Sequence, residues 1–135
     1  EIQAAILRVK LKHLAKDTEV RQSIACTYAN QISNPKLKLP ISPTKYISDV
    51  ADHVFHLFVV RTPLRDDFQR HLTQYGINTL IHYPIPPHQQ QAYAELGSLS
   101  LPLTVALHNQ VVSIPISPAM TKADIDQIIL ACNSF

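Results

Sequence analysis

His82, Tyr83 and His88 stand together in the stretch "HYPIPPH", with prolines at positions 84, 86 and 87. An imidazole and a phenol both donate and accept hydrogen bonds, so this is a cluster of polar groups on an unusually stiff backbone. Each proline fixes its own φ near about −65° and restricts the residue before it. A stiff backbone lowers the entropy cost of holding His82 and Tyr83 in one geometry, as a recognition site requires. The competing reading is that Tyr83 packs in the core and the prolines only turn the chain. Residue chemistry alone leaves both open.

Other constellations are weaker. His53 and His56 lie three apart on an expected strand, which sends them to opposite faces and prevents a shared ion without a bulge. His82 and His88 could converge, but no cysteine pair or helical His–His spacing supports zinc, so no metal is expected. Ser42-Pro-Thr-Lys45 matches the Ser-x-x-Lys spacing of serine acyl enzymes without their partner motifs, and reads as a proline-restricted loop. Seven histidines allow a Ser/His/Asp set on paper, yet no Gly-x-Ser-x-Gly elbow exists. Gly76 and Gly97 are the chain's two glycines, which excludes a glycine-rich phosphate loop. Arg61 ends the strand, where it meets either an anion or a surface ion-pair partner.

The elements that hold these residues follow from periodicity. Ile2, Ala5, Ile6, Val9 and Leu14 recur at helical spacing from the first residues, and Val20, Ile24, Tyr28 and Ile32 continue the pattern, predicting one long helix over 1–33. No Ser, Thr, Asp or Asn caps its start, so the helix is expected to continue from chain preceding Glu1. "NPKLKLPISPTKYISDVAD" is an irregular connection with a short edge strand near Leu39. "HVFHLFVVRT" is a strand stopped by Pro63. "PLRDDFQRHLTQYG" is an amphipathic helix with Leu64, Phe68 and Leu72 on one face and Gly76 as a left-handed stop. "INTLIHY" is a second strand and Gln89 to Leu96 a third helix. A short helix after Pro102, a strand around Val111 to Ile114 and a closing helix follow. Thr121 and Asp124 form a variant capping box on that closing helix, with Ile125, Ile128 and Ile129 facing the core. The class is α+β: a small, mostly antiparallel sheet covered by helices on one side, with residues 34–135 as one unit behind the 1–33 helix.

Composition sets the outer limits. The 135 residues, 46% hydrophobic and 16% charged, suit one soluble domain. A net charge of +2 with Lys10, Lys12, Lys16, Lys36 and Lys38 dispersed gives no case for nucleic acid. No apolar stretch is long enough to span a bilayer, and these residues carry no signal-peptide pattern. Cys26 and Cys132, far apart among apolar neighbours, read as reduced thiols of a cytoplasmic protein.

Four stretches together carry a resemblance. "EIQAAILRVKLKHL" resembles the Glu-(Leu/Ile)-Gln-Ala-Ala helix with which the small domain begins in sugar aminotransferases of the DegT/DnrJ/StrS group. "HVFHLFVVRT" resembles the group's His-containing strand that ends in arginine. "GINTLIHYPIPPHQQQAY" resembles its Gly-Ile-x-x-x-x-His-Tyr-Pro-x-Pro-x-His-x-Gln motif, and "VVSIPISPAMTKADIDQII" its closing segment. The order and spacing fit over essentially the whole chain.

The resemblance implies the small C-terminal domain of the aspartate aminotransferase fold (fold type I). A large domain that holds pyridoxal phosphate would be absent. It implies a dimeric enzyme passing an amino group from glutamate to a nucleotide-linked keto sugar, for polysaccharide or lipopolysaccharide synthesis. The "HYPIPPHQQQAY" variant resembles members that aminate dTDP-linked 3-keto-6-deoxy sugars. By the same resemblance His82 and Tyr83 contact the sugar or its diphosphate, His56 lies near the cleft, and His88 either binds or braces the corner. The Schiff-base lysine falls outside this chain, so no catalytic or cofactor-binding residue is assigned, and the chain alone is expected to bind no cofactor and to be inactive. The rival reading is a stand-alone α+β ligand-binding or dimerisation module.

Overall fold

The computed structural model describes residues 1–44 and 46–135, with Ile47 described by its backbone only; Lys45 of the Ser-x-x-Lys match lies outside the described residues. The opening helical pattern is divided into α1 (Ile2–Leu11) and α2 (Leu14–Gln31). Between them the N–H groups of Lys12 and His13 bond three residues back, to Val9 and Lys10, tightening the chain into a turn. Neither proline nor glycine marks that break, and its cause in the sequence is not visible.

The second half of α2 is the core's backbone. Ile24, Tyr28 and Ile32 are buried as their spacing predicts, along with Ala25 and Ala29. The Tyr28 ring meets Phe58 edge-on at 5.2 Å, and its hydroxyl donates to the Pro115 carbonyl at 2.9 Å, so a large buried aromatic also satisfies its polar end. Gln22, buried on the same helix, lies 3.4, 3.3 and 3.1 Å from the carbonyls of Val50, Ala51 and His53. That amide anchors the irregular 47–57 segment against α2.

The anchored segment corrects the first strand. "HVFHLFVVRT" is extended only over β1 (Phe58–Arg61). Phe55 adopts a φ of 45° with its ring buried, and its N–H donates to His53 Nδ1 at 2.9 Å. Burying Phe55 this way turns the chain, so His53 and His56 lie in a loop and the expected alternation of strand faces does not apply to them.

β1 pairs antiparallel with β2 (Val111–Ile114), in the register Phe58 with Ile114, Val59 with Ser113, Val60 with Val112 and Arg61 with Val111. Single bridges extend the sheet on both sides, Lys38 to Arg61 and Leu80 to Ser113. The first is the edge strand expected near Leu39. The second is all that forms of the expected "INTLIHY" strand, because Pro84 and the corner behind it end the pairing after one residue.

Cross-strand partners share a face, so Phe58, Val60, Val112 and Ile114 form the core face, and all four are buried. Against them pack Phe68 and Leu72 of α3 (Arg65–Gln74) and Ile128 and Ile129 of α5 (Lys122–Asn133). Leu64 stands at the N-cap of α3 and is exposed, off the face it was expected to share. Gly76 ends α3 at φ 71°, as its placement predicts. Gln89 to Leu96 forms two short 3-10 turns (Pro87–Gln89 and Gln91–Leu96) in place of one α-helix, and the short helix after Pro102 is α4 (Pro102–His108).

The two chain ends of the core are tied side by side. Asn133 accepts from the Ser33 N–H at 2.8 Å and donates to the Gln31 carbonyl at 2.8 Å, while Asn34 donates to the Cys132 carbonyl at 2.8 Å. The α+β class expected from the element order is the class observed.

Candidate functional site

The sheet's other face is where the proline corner lies. Val59 and Ser113 are partners on this face, with Arg61 and Val111 the next pair along. Ser113 is nevertheless buried. Leu80 N–H donates to the Ser113 carbonyl at 3.2 Å, and Ser113 N–H donates to the Leu80 carbonyl at 2.7 Å. Two residues on, His82 reaches back: its Nδ1 lies 2.9 Å from Ser113 Oγ.

Tyr83 then points outward. Its ring stands nearly perpendicular to that of His82, with centroids 5.5 Å apart, and the residue is 66% exposed. Its carbonyl faces the C-terminus of α4, where His108 Nδ1 lies 2.5 Å away. The His82–Tyr83 peptide is cis. The corner is thus gripped from two elements, β2 through Ser113 and α4 through His108, while Tyr83 is exposed and the half-buried His82 has no hydrogen bond at Nε2 among the described residues. The core-packing alternative for Tyr83 is excluded by its exposure.

The other expected residues separate. His88 is buried, at 4% exposure, in the first 3-10 turn after the corner, and makes no hydrogen bond among the described residues. That position suits bracing better than contact with a ligand. His56 is exposed in the loop before β1 and does not touch His82 or Tyr83 through any hydrogen bond or ring contact among the described residues. Arg61 is half-buried and forms no ion pair among the described residues, so the expected surface ion pair is not seen. Its guanidinium belongs to the same sheet face as Ser113.

Two participants were missed from the sequence. Ser113 is the one polar residue inside an apolar run, "VVSIPI", and a hydroxyl there is a signal that a polar partner must come to it. His108 carries no comparable mark; its role depends on where the short α4 happens to end.

The surface clefts lie elsewhere. An open polar depression of about 750 Å³ runs along α3 past Gln69 and Thr79, and an apolar groove of about 490 Å³ is lined by Leu7, Leu11, Leu14 and Pro118. His82 and Tyr83 line neither of these two clefts. Among the described residues no group of three or more His, Cys, Asp or Glu side chains is arranged to hold a metal.

A lysine that forms a Schiff base must be desolvated enough to act as a neutral amine. Lys10, Lys12, Lys16, Lys36, Lys38 and Lys122 are all exposed. The described residues therefore do not fit the seat of pyridoxal phosphate.

The DegT/DnrJ/EryC1/StrS aminotransferase family model matches residues 1–133. A dTDP-3-amino-3,6-dideoxy-alpha-D-galactopyranose transaminase of Aneurinibacillus thermoaerophilus is 44% identical over 135 residues, covering all of this chain and 36% of that protein. A UDP-N-acetyl-3-dehydro-alpha-D-glucosamine 3-aminotransferase of Acidithiobacillus ferrooxidans is 35% identical over 128 residues, or 95% of this chain and 33% of that one. Among solved structures, Streptomyces venezuelae DesV in complex with a ketimine intermediate superposes with a TM-score of 0.83 at 34% identity, over 98% of this chain and 35% of that one. The chain spans about a third of the length of these relatives.

Proposed function

The chain belongs to the DegT/DnrJ/EryC1/StrS aminotransferase family, and on that premise we propose a function for it. It is the C-terminal small domain of a pyridoxal-phosphate-dependent nucleotide-sugar aminotransferase. The whole enzyme passes an amino group from glutamate to carbon 3 of a nucleotide-linked 3-keto sugar, with dTDP as the carrier. It works in the cytoplasm as a homodimer and serves the synthesis of a polysaccharide or lipopolysaccharide. The reactive lysine and the cofactor's seat come from polypeptide beyond these 135 residues, and this chain alone is inactive.

One observation carries the reading: the His82–Tyr83 corner, fixed from β2 and α4, presents hydrogen-bonding groups outward over a sheet face that also bears Arg61. A nucleotide sugar brings hydroxyls and an anionic diphosphate, and those are the groups that an imidazole, a phenol and a guanidinium bind. A wall of this kind binds nothing tightly until another surface closes against it. The C3 position and the dTDP carrier are supported by the names of the two relatives, which share position 3 and differ in nucleotide, dTDP belonging to the one of higher identity.

The test is to incubate the protein, as encoded in full, with pyridoxal phosphate, glutamate and a dTDP-linked 3-keto-6-deoxy sugar. The expected product, seen by mass spectrometry, is the 3-amino sugar nucleotide. His82→Ala should raise the KM for the sugar nucleotide roughly tenfold, the order expected for one hydrogen bond to a charged group. Absence of amino sugar from dTDP- and UDP-linked substrates alike contradicts the proposal.

A further inference from the structure

We propose that Ser113 is the positioning residue of His82: its hydroxyl donates to Nδ1 and holds the ring in the tautomer that carries its hydrogen on Nε2, as a donor facing the substrate. The functional half of this statement rests on the nucleotide-sugar reading above; the assignment of the ring does not.

The argument begins with what a buried hydroxyl needs. Ser113 is 6% exposed, and among the described residues its Oγ has one partner, His82 Nδ1 at 2.9 Å. A hydroxyl has one hydrogen to place and two lone pairs to fill. If Nδ1 carried the ring hydrogen, Ser113 would accept it and its own hydrogen would be buried without an acceptor. If Ser113 donates, only a lone pair goes unfilled. Orphaned buried donors are rarer and more costly than under-used acceptors. Donation by Ser113 is therefore favoured, and the bond made by one ring nitrogen dictates the state of the other. Nδ1 is bare and Nε2 holds the hydrogen.

His108 shows the contrast. Its Nδ1 faces the Tyr83 carbonyl at 2.5 Å, and a carbonyl only accepts, so that nitrogen must carry the hydrogen. The two rings that flank the corner are thus opposite tautomers. Of the two rings, only His82 then has its Nε2 hydrogen free for a ligand, and a diphosphate offers only acceptors.

Ser113 is also fixed more firmly than a side chain on a loop. Its N–H and its carbonyl both bond to Leu80, so three hydrogen bonds run from this one residue to the segment that carries His82. Backbone pairing sets the distance and the hydroxyl sets the ring. A site built this way holds its donor within a narrow range of angle.

The experiment uses the protein as encoded in full, labelled with nitrogen-15 in histidine only, above the pH at which imidazole is protonated. Long-range proton–nitrogen spectra should show His82 with hydrogen on Nε2 in the wild type and in Ser113→Thr, and a mixture of tautomers in Ser113→Ala. With the sugar nucleotide, Ser113→Ala should raise KM roughly tenfold with kcat within about twofold, and Ser113→Thr should restore it. A wild-type His82 with hydrogen on Nδ1 overturns the proposal whatever the variants do. So does a Ser113→Ala protein with an unaltered tautomer or an unaltered KM. Failure to act on any nucleotide sugar sinks the functional reading, and the wild-type spectrum then still decides the ring.

Discussion

At the scale of single residues, Cys132 shows how strongly the core is sealed. Burial alone pushes its thiol from 9.0 up to about 12, and burial is also the main reason that Tyr28 is raised above its ordinary 10.0. Both groups lose protons more readily unfolded than folded. The stability this represents is complete below pH 9 and is lost as pH rises through 9 toward 12. The urea midpoint should accordingly fall with pH above 9, and Cys132→Ala should flatten that fall; an equal slope in the variant contradicts the assignment. The stiff corner at His82 and Tyr83 was legible in the sequence because prolines advertise a fixed backbone; the partners that grip it were not. Ser113 and His108 each acquire that role from a partner more than 20 residues away in the chain.

Among the elements, α5 was legible almost to the residue. Thr121 Oγ1 accepts from the Asp124 N–H at 3.3 Å, while the Asp124 carboxylate accepts from the Thr121 N–H at 2.8 Å and from its hydroxyl at 2.7 Å. Those bonds, the hydroxyl's first, hold the Asp124 carboxyl below its usual 3.8, so their stabilisation is present above that value and lost as pH falls further. Thr121→Ala should cost about 1 kcal/mol, read from urea unfolding at neutral pH. Gly76→Ala should cost a similar amount, about 1–2 kcal/mol, through backbone strain alone, since an added Cβ meets nothing within 4 Å. A neutral result at either position contradicts the local account. Strands were less legible than helices. Period-two patterns in "HVFHLFVVRT" and "INTLIHY" record apolar residues, but Gln22 holding the 50–53 carbonyls and Pro84 breaking the edge decide how much of each stretch pairs.

Across the whole molecule, burial is uneven. The core is gathered around the sheet, α3, α5 and the second half of α2, whereas α1 has no buried residue and leaves Ile2, Ile6, Leu7, Val9 and Leu11 in solvent. A helix without tertiary burial has little but its own propensity to hold it, and ten residues are marginal for that. In hydrogen exchange on this 135-residue chain, α1 amides should show almost no protection, while those near Tyr28 and Ile128 should be the slowest. Protection of α1 equal to that of α5 contradicts this picture of the fold. The α+β class followed from the order of the elements, but the turn at Lys12 and His13 did not, since no residue type there opposes a helix.

We proposed that this chain supplies the substrate-facing wall of an aminotransferase whose reactive amine lies elsewhere. This is tested most directly by reducing pyridoxal phosphate onto protein with borohydride and mapping the adduct by mass spectrometry. The 135-residue chain should carry no adduct on any specific lysine, and the protein as encoded in full should carry one, on a lysine outside these residues. A stoichiometric adduct on one lysine of this chain would contradict the account.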